Sequence, residues 1–281
     1  MKFCFVILHY MTALDTIECI ESIKKLNTLC QIVVVDNASI NGSIETIEEK
    51  YSEDKNIYII KNKSNLGFAS GNNVGYKYAR EILNADFIVV TNNDIIVETS
   101  NMPEYILEYY KENPFHIMGP DIVSLVDHGH QNPMNPAKPD KKRIQKEILR
   151  YNCLLLLSKL GLYDILKPNT HPKENGSICY RKLIRGKQLH GSFVIFSPEY
   201  IKNEEFAFRP GTFLYMEEAI LFQYCVKKGY TTVYTPDIKV YHKEDSSTNS
   251  LFNAPKQKRE FVFSNMIQSL KIYKKLLNKT R

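Results

Sequence analysis

The sequence of 281 residues predicts an α/β protein with a mainly parallel sheet. Two observations support this fold class. Short apolar runs of strand length alternate along the chain with segments in which apolar residues recur at helical spacing. The runs are also rich in β-branched residues and end at polar turn residues, as buried parallel strands do. Ligands of such sheets bind beyond the carboxyl ends of the strands.

The first half of the chain supplies four strands with helices between them. The first strand is an uninterrupted apolar run, the second is β-branched and ends at Asp36, and the fourth ends at Asn93 and Asp94. The predicted elements are, in order, a strand at residues 3–8, a helix at 17–26, a strand at 31–35, a short helix around 45–49, a strand at 57–60, a loop at 62–72, a helix around 74–82 and a strand at 87–90.

The second half is less regular. A helix is expected to end at Gly229, because glycine is a common helix C-cap. The predicted elements are a strand at residues 191–196, a helix at 213–228, strand-like segments at 231–234 and 237–241, and an amphipathic helix in the tail. Residues 124–185 mix prolines, histidines, a basic stretch and an apolar stretch, and are interpreted as an insertion.

The formal charge of +6 is concentrated at the C-terminus. Residues 256–281 hold eight basic residues and one acidic residue, so the rest of the chain is close to neutral. A nucleic-acid-binding protein would spread its basic residues over a folded face, so no nucleic-acid partner is expected. The tail predicts a basic amphipathic helix, which either docks on an anionic membrane surface or packs on the domain.

The cysteines and the apolar stretches bear on the compartment. Six cysteines are scattered without a C-x-x-C pair, and no signal-like segment opens the sequence. No apolar stretch approaches the ~20 residues that span a bilayer. The sequence therefore predicts a reduced, cytoplasmic protein, with the inner face of the cell membrane as a further location if the tail docks there.

Polar residues at the strand ends are the first candidates for a site. Asn93 and Asp94 place an amide and a carboxylate at the ligand edge of the sheet, where one carboxylate and a substrate diphosphate suffice for Mg²⁺ or Mn²⁺. The same residues are also ordinary turn formers. Asp36 is likewise either a turn former or an acceptor for a nucleoside.

A pair of adjacent acids is the second candidate. Glu217 and Glu218 follow an aromatic, apolar segment, and such surroundings raise a carboxyl pKa towards the range of a general base. The alternative is that acids favour the first helical turn because of the helix dipole. His190 and His242 adjoin predicted strands, and single histidines of this kind are more often structural than ligands.

Four segments in this order resemble family 2 glycosyltransferases, in particular bacterial rhamnosyltransferase-like members that build capsule or O-antigen polysaccharide. The segments are VVVDNAS at residues 33–39, NLGFASGNNVG at 65–75, TNND at 91–94 and FLYMEE at 213–218. The resemblance implies an A-type glycosyltransferase fold, with a mainly parallel, Rossmann-like sheet, helices on both faces and the C-terminal basic amphipathic helix.

The resemblance also implies how the chain is divided. Residues 1–250 are expected to form the glycosyltransferase domain. Within it, residues 1–120 form the nucleotide-sugar-binding half, and residues 121–250 form the acceptor-binding half with the insertion at about 124–185. Residues 251–281 form the basic helical tail.

The site residues that the resemblance implies fall into three groups. Glu218 matches the catalytic base of the family, with Glu217 beside it. The substrate-binding residues are Asp36 for the nucleobase, Asn65, Gly67, Asn72, Asn73 and Asn93 for the donor, and His190 and Gly191 where the sugar meets the acceptor. The metal residues are Asp94 and His242, which are expected to bind Mg²⁺ or Mn²⁺ on the donor diphosphate.

The sequence departs from the family pattern at three places. Asn92, Asn93 and Asp94 stand where two aspartates are usual, which leaves one carboxylate for the metal. The acid pair is Glu-Glu where Glu-Asp is usual, and Tyr224 stands where many relatives have arginine.

The implied function is an inverting, metal-assisted transfer of a hexose from a nucleotide-diphosphate sugar to a hydroxyl of a glycan acceptor carried on a lipid. Glu218 would be the general base. The alternative, motivated by the departures, is a catalytically silent nucleotide-sugar binder or assembly partner. A peripheral contact of the C-terminal tail with an anionic membrane is a further expectation.

Overall fold

The computed structural model describes residues 1–136, 140–166, 179–244 and 254–278. Within these ranges nine strands form one sheet. The strands are β1 (Phe3–His9), β2 (Gln31–Asp36), β3 (Ile57–Lys61), β4 (Phe87–Asn92), β5 (Ile95–Val97), β6 (Ile117–Ser124), β7 (Ile184–Arg185), β8 (Phe193–Phe196) and β9 (Thr232–His242).

The described helices pack on both faces of this sheet. They are α1 (Ala13–Lys24), α2 (Ser43–Lys50), α3 (Gly67–Glu81), α4 (Met102–Glu112), α5 (Lys141–Lys159), α6 (Tyr163–Leu166), α7 (Pro198–Asn203), α8 (Glu217–Lys228) and α9 (Pro255–Asn278). The fold class expected from the sequence is confirmed.

The strand order is β3-β2-β1-β4-β8-β6-β9-β5, and β7 pairs with β9 outside this path. The four strands from β3 to β4 are parallel. Beyond β4 the sheet is mixed, because β8 runs antiparallel to both β4 and β6. The chain adds β2 and β3 on one side of β1 and β4 on the other, so the ligand crevice is expected at the carboxyl ends of β1 and β4.

Two apolar cores hold the layers together. One face of the sheet packs on α1, α2 and α4, with Ile20, Ile44 and Ile106 buried against the strands. The other face packs on α3, α7 and α8, with Tyr76 and Leu221 among the buried residues. Each fully buried side chain of this size contributes about 1.5–3 kcal/mol to folding, so these layers hold the strand ends of the crevice in place.

The C-terminal helix is part of the packed structure. Leu270 and Tyr273 of α9 share an apolar cluster with Ile144 and Ile148 of α5 and with Ile220 of α8. Of the two alternatives for the tail, the described residues therefore show the helix packed on the domain, with its apolar face occupied. Residues 251–253 and 279–281 of the predicted tail lie outside the described residues.

Several predicted elements differ in their bounds. The predicted loop at 62–72 is shorter, because α3 already begins at Gly67, and the helix predicted from residue 213 begins at Glu217. The segments 231–234 and 237–241 are one strand, β9. The expected insertion at 124–185 contains α5, α6 and β7, and its residues 137–139 and 167–178 are not described. None of the helices within the described ranges has the length and apolar character needed to cross a membrane.

Candidate active site

A pocket of about 180 Å³ lies at the carboxyl ends of β1, β2 and β4, at the expected crevice. Its lining combines aromatic and apolar side chains with amides. The lining residues are Leu8, Tyr10, Asn37, Asn65, Gly67, Phe68, Asn92, Asn93, Phe213 and Leu214. Three residues predicted from the sequence, Asn65, Gly67 and Asn93, are thus in one pocket. A lining of this kind suits a planar, partly polar ligand.

Asn37 organises the loop that forms one wall of the pocket. Its Nδ2 donates to Oδ1 of Asn65 at 2.8 Å, and its Oδ1 accepts from the backbone N–H of Leu66 at 2.9 Å. The same Asn65 oxygen accepts from the N–H of Gly67 at 2.9 Å. The amide oxygens of Asn37 and Asn65 thus accept from backbone N–H groups at the start of α3, which have no acceptor within the helix.

Gly67 is required where α3 begins. Its φ of +76° is unfavourable for other residues, and a methyl group on it would collide with the carbonyl oxygen of Phe213. That carbonyl accepts from the N–H of Phe68 at 2.7 Å. This hydrogen bond joins the start of α3 directly to the segment that precedes Glu217 and Glu218.

The other residues predicted for the donor lie around the pocket. Asp36 is buried, and its carboxylate accepts from the N–H of Ser39 at 3.1 Å. Asn72 has a buried Oδ1 without a hydrogen-bond partner among the described residues. Asn73 is engaged at both ends by the backbone of Phe208, at 2.8 and 3.0 Å. None of these three lines the pocket.

Asn93 has one polar atom left for a ligand. Its Nδ2 donates to the hydroxyl of Thr12 at 2.7 Å and to that of Thr16 at 3.0 Å, which ties the end of β4 to α1. With its amide hydrogens used in this way, its oxygen is the remaining acceptor in the pocket wall.

Asp94 and His242 face each other next to this wall. β5 runs antiparallel to β9, so that Ile95 lies opposite His242. Nε2 of His242 is 3.3 Å from Oδ1 of Asp94, and both residues are buried. This Asp94 oxygen has no hydrogen-bond partner within the described part of the chain. An unpaired buried carboxylate oxygen is costly, so the pair calls for a cation.

The hydrogen bonds of Gln131 fix which nitrogen of His242 carries a hydrogen. Nε2 of Gln131 donates to Glu244 at 2.7 Å, so Oε1 is the atom 2.8 Å from Nδ1 of His242. An amide oxygen only accepts, so Nδ1 is the donor. In the neutral ring, Nε2 then presents a lone pair to Asp94.

Two facing lone pairs fit a proton or a divalent metal ion. Adjacent ligands of an octahedral metal at about 2.1 Å lie about 3 Å apart, which is close to the separation of Asp94 and His242. Among the residues that the structure describes, no group of three or more His, Cys, Asp or Glu side chains is placed to bind a metal. A metal ion at this pair would have two ligands from the described residues, with its other positions open to a substrate.

His190 lies against His242 and is held in its neutral form. The two ring centres are 5.8 Å apart. Nδ1 of His190 accepts from the N–H of Ser192 at 3.2 Å, which leaves Nε2 as the donor of the neutral ring. Burial, assisted by the nearby His242, lowers the pKa of His190 to about 4.

The acid pair lies at the first turn of α8. Glu218 lies near Gly191, since its Oε2 is 3.8 Å from the position of a Cβ on Gly191, and the ring of Phe68 is at the same distance from that position. Burial raises the pKa of Glu218 above its usual value. Glu217 is 5% exposed, and its Oε1 has no hydrogen-bond partner within the described ranges. Burial raises the pKa of Glu217 to about 7, and the Glu218 charge contributes in the same direction.

The backbone before the acid pair is held in an uncommon conformation. Tyr215 and Met216 have φ values of +75° and +69°, and such conformations cost of order 1 kcal/mol each for residues other than glycine. The hydroxyl of Ser269 on α9 donates to the carbonyl of Leu214 at 3.0 Å. α9 therefore helps to hold the turn that orients Glu217 and Glu218.

A buried carboxylate anchors the other end of α8. Glu204 is 5% exposed and accepts from the hydroxyl of Tyr224 at 2.8 Å and from that of Tyr230 at 2.8 Å. Arg209 lies 3.5 Å from the same carboxylate. Tyr224, which stands where many similar sequences have arginine, thus binds inward to Glu204.

The structure brings the predicted residues into two neighbouring groups and adds others. Asn65, Gly67 and Asn93 share the pocket, whereas Glu218, Gly191, His190, His242 and Asp94 form a second group beside it. Sequence reasoning did not identify Tyr10, Asn37, Phe68 or Phe213 as individual site residues. The signal for Asn37 was available, because it follows Asp36 at the end of a predicted strand.

Comparisons with known proteins identify the family of the chain. A family model described as glycosyl transferase family 2 matches residues 4–160, more than half of the chain. A search of curated proteins gives no match.

Solved structures share the fold at low sequence identity. S. aureus TarS 1-349 in complex with UDP-GlcNAc is 14% identical, with a TM-score of 0.57 over 97% of this chain and 66% of that one. GalNAc-T7 with UDP, GalNAc and Mn²⁺ is 12% identical, with a TM-score of 0.59 over 93% of this chain and 47% of that one. The present chain spans less than two thirds of the length of either structure.

Proposed function

The chain belongs to glycosyl transferase family 2, and we propose that it transfers a sugar from a nucleotide-diphosphate donor to a hydroxyl group of an acceptor, with inversion at the anomeric carbon. The observation that carries the proposal is the buried Asp94–His242 pair. Its facing lone pairs lie next to the pocket at the carboxyl ends of β1 and β4. TarS and GalNAc-T7, which share the fold, were crystallised with UDP-GlcNAc and with UDP, GalNAc and Mn²⁺ respectively.

The nucleoside of the donor would occupy the pocket. Tyr10, Phe68 and Phe213 offer rings for a base, and Asn65 and Asn93 offer amides for its polar edge or for the ribose. Asp36 would accept a hydrogen bond from the base, as the family resemblance implies. Asn72 would hold the first turn of α3 at the donor through its hydrogen bond to the carbonyl of Phe68, and Asn73 would hold α3 against the backbone of Phe208.

Asp94 and His242 would hold Mg²⁺ or Mn²⁺. The bound ion would supply electrostatic stabilisation of the charge that develops on the leaving diphosphate. Oε1 of Gln131 accepts a hydrogen bond from Nδ1–H of His242 and would thereby leave Nε2 without a hydrogen, free to bind the ion. Asn93, beside Asp94, would direct its amide oxygen into the pocket.

Glu218 would remove the proton of the acceptor hydroxyl during attack on the anomeric carbon. Its raised pKa makes it a stronger base than an exposed carboxylate. Glu217, with a pKa of about 7, would carry only part of a negative charge near neutral pH, which would weaken its repulsion of the donor diphosphate. Gly191 and His190 would border the sugar and the acceptor.

The finer assignments are also proposals. We assign residues 1–120 to donor binding and residues 121–250 to acceptor binding, and we propose a glycan acceptor on a lipid carrier, as in capsule or O-antigen synthesis at the inner face of the membrane. The transferred group would be a hexose, rhamnose included.

The test combines donor binding with transfer. UDP-, dTDP- and GDP-sugars are screened by thermal shift with and without Mn²⁺, because a specific ligand raises the midpoint by mass action. We expect one nucleotide class to stabilise the protein, more strongly with Mn²⁺. A flat response across the panel would contradict the donor site.

The cognate donor is then used to compare turnover in the wild type and in Glu218→Gln. Turnover should fall by at least about 10²-fold in the variant, while the donor Kd stays within about twofold. Donor binding without any turnover in the wild type would favour the silent-binder alternative. Equal turnover in both proteins would remove Glu218 from the role of base.

A further inference from the structure

We propose that the outer face of α5 is a docking surface for an anionic lipid bilayer. This inference goes beyond the sugar-transfer proposal and rests on a different part of the molecule. The face is called the α5 stripe, and its residues follow one another at intervals of three or four positions. They are Lys142, Lys146, Leu149, Cys153, Leu156 and Leu160.

The apolar half of the α5 stripe is unusually exposed. Leu149 is 64% exposed, Leu156 is 58% exposed and Leu160 is 62% exposed. After a short turn, Ile165 and Leu166 of α6 are 74% and 60% exposed. Single exposed apolar residues are common, but a row of them on one helix face marks an interaction surface.

The stripe is exposed because the opposite face of α5 is fully used. Ile144 and Ile148 are buried in the cluster with α9 and with Ile220 of α8. Ser158 is buried and accepts from Nε of Arg259 on α9 at 3.2 Å. α5 is therefore fixed to the domain by one face and has no partner among the described residues for the other.

α6 is also fixed in place. Arg259 of α9 binds both carboxylate oxygens of Asp164, at 3.0 and 3.2 Å, and its guanidinium lies 4.0 Å from the ring centre of Tyr163. A bidentate pair of this kind gives a defined orientation. Ile165 and Leu166 are therefore exposed on a helix whose position is fixed by these contacts.

The charge around the stripe selects the partner. Residues 140–166, which carry the stripe, hold six basic and three acidic residues, a formal +3. Lys142 and Lys146 continue the stripe at its N-terminal end, and Lys159 borders its C-terminal end. An apolar helix face with a lysine rim is the pattern of helices that lie in the interface of anionic membranes.

A second copy of the chain fits less well. A two-fold contact through the α5 stripe would bring the same basic residues of both copies together, and this repulsion would oppose association. An anionic bilayer would instead neutralise the lysines while it takes up the leucines. Docking through this face would also place α8, with Glu218, on the side of the domain that faces the bilayer, because Ile220 shares a buried cluster with Ile144 and Ile148 of α5.

The test uses Cys153 as a reporter within the stripe. Cys179 is the other exposed cysteine of the described residues, so a Cys179→Ser background allows an environment-sensitive fluorophore to be attached at Cys153. Vesicles of phosphatidylcholine with roughly 30 mol% phosphatidylglycerol are compared with pure phosphatidylcholine. We expect a blue shift, and co-sedimentation of the unlabelled protein, with the anionic vesicles only.

Variants separate the stripe from general charge attraction. Leu156→Glu should weaken partitioning at least about tenfold, and Lys142→Ala with Lys146→Ala should weaken it by about thirtyfold. Leu29→Glu is the matched control, because Leu29 is 79% exposed and far from α5 in the fold, and it should bind as the wild type does. Nucleotide-induced thermal shifts should be unchanged in all variants, which separates this test from the donor proposal.

Four results would overturn the proposal. The first is that the wild type does not bind anionic vesicles, and the second is that Leu29→Glu and Leu156→Glu weaken binding equally. The third is a concentration-dependent dimer in sedimentation that Leu156→Glu abolishes. The fourth is a slow reaction of Cys153 with maleimide, which would mean that the stripe is covered. Far-UV circular dichroism checks that each variant is folded, as expected for substitutions of exposed residues.

Discussion

Replacing Glu217 with glutamine is predicted to stabilise the protein above neutral pH. The carboxyl group is 5% exposed, its Oε1 has no hydrogen-bond partner in the described residues, and burial raises its pKa from 4.5 to about 7. Glutamine keeps the shape of the side chain and cannot ionise. The substitution therefore removes the cost of charging this group inside the protein.

The pKa shift sets the sign and the size of the effect. The folded state holds the Glu217 proton more tightly than the unfolded state, so the free energy of unfolding falls as pH rises from about 4.5 to about 7 and is level beyond that range. A difference of about 2.5 pKa units at about 1.4 kcal/mol per unit gives about 3 kcal/mol. The wild type loses up to this amount, whereas the Glu217→Gln variant does not.

The measurement is urea unfolding of both proteins between about pH 5 and pH 8, without metal or nucleotide. The difference between the two curves isolates Glu217, because the other titrating groups are common to both proteins. Glu53→Gln, at an exposed position, is the control and should follow the wild type. Parallel curves for wild type and Glu217→Gln would refute the assignment of a buried carboxyl group with a raised pKa.

Three further predictions test other features. Gly67→Ala should lower the free energy of unfolding in urea by at least about 2 kcal/mol more than Gly42→Ala does, because the two glycines have similar φ values but only Gly67 lies against the backbone of another segment. Equal losses would show that the contact with Phe213 does not destabilise the variant. Glu204→Gln should cost about 1–3 kcal/mol, since two tyrosine hydroxyls donate to the buried carboxylate, and an unchanged midpoint would show that the network adds nothing. Asp94→Asn should leave the metal-free protein as stable as the wild type or more stable, because the amide can donate to Nε2 of His242. The same variant should lose the Mn²⁺ dependence of nucleotide binding, and retained dependence would place the metal elsewhere.

The strands of the first half were predictable because their signal is local. β1, β2 and β4 are uninterrupted apolar runs that end at polar residues, so burial on both faces is visible in the sequence itself. β6 was missed because Gly119 and Pro120 interrupt its pattern, and the pairing with β9 shifts register there. The local pattern of such a strand is that of a turn.

The start of α3 shows where tertiary contacts decide the outcome. The polar, glycine-containing sequence from residue 62 to 72 favours a loop by propensity, yet α3 begins at Gly67. Side chains of Asn37 and Asn65 supply acceptors for its first N–H groups, and Gly75 allows close packing on Val6 of β1. The contacts with Asn37 and Val6 come from elements about 30 and 70 positions away, so only the Asn65 contact could leave a local trace in the sequence.

The site was predictable in its chemistry and less so in its assembly. Asp94 and the acid pair at Glu217 were identified as chemical candidates from their place in the sequence, whereas the role of His242 came from the family resemblance alone. The tautomer of His242 depends on Gln131 and Glu244, which no sequence pattern connected to it. The pairing of α5 with α9 likewise joins segments more than 100 positions apart.

The long strand β9 has a consequence for biosynthesis. It places His242 beside Asp94 although the two are roughly 150 positions apart, through pairing with β5 and β6. A chain that has left the ribosome only as far as β6 has Asp94 but not its imidazole partner. Non-local pairings of this kind form late and slowly. If Asp94 and His242 bind a divalent metal ion as proposed, this pair would therefore form only once β9 has joined the sheet, so that an incomplete chain would lack this site.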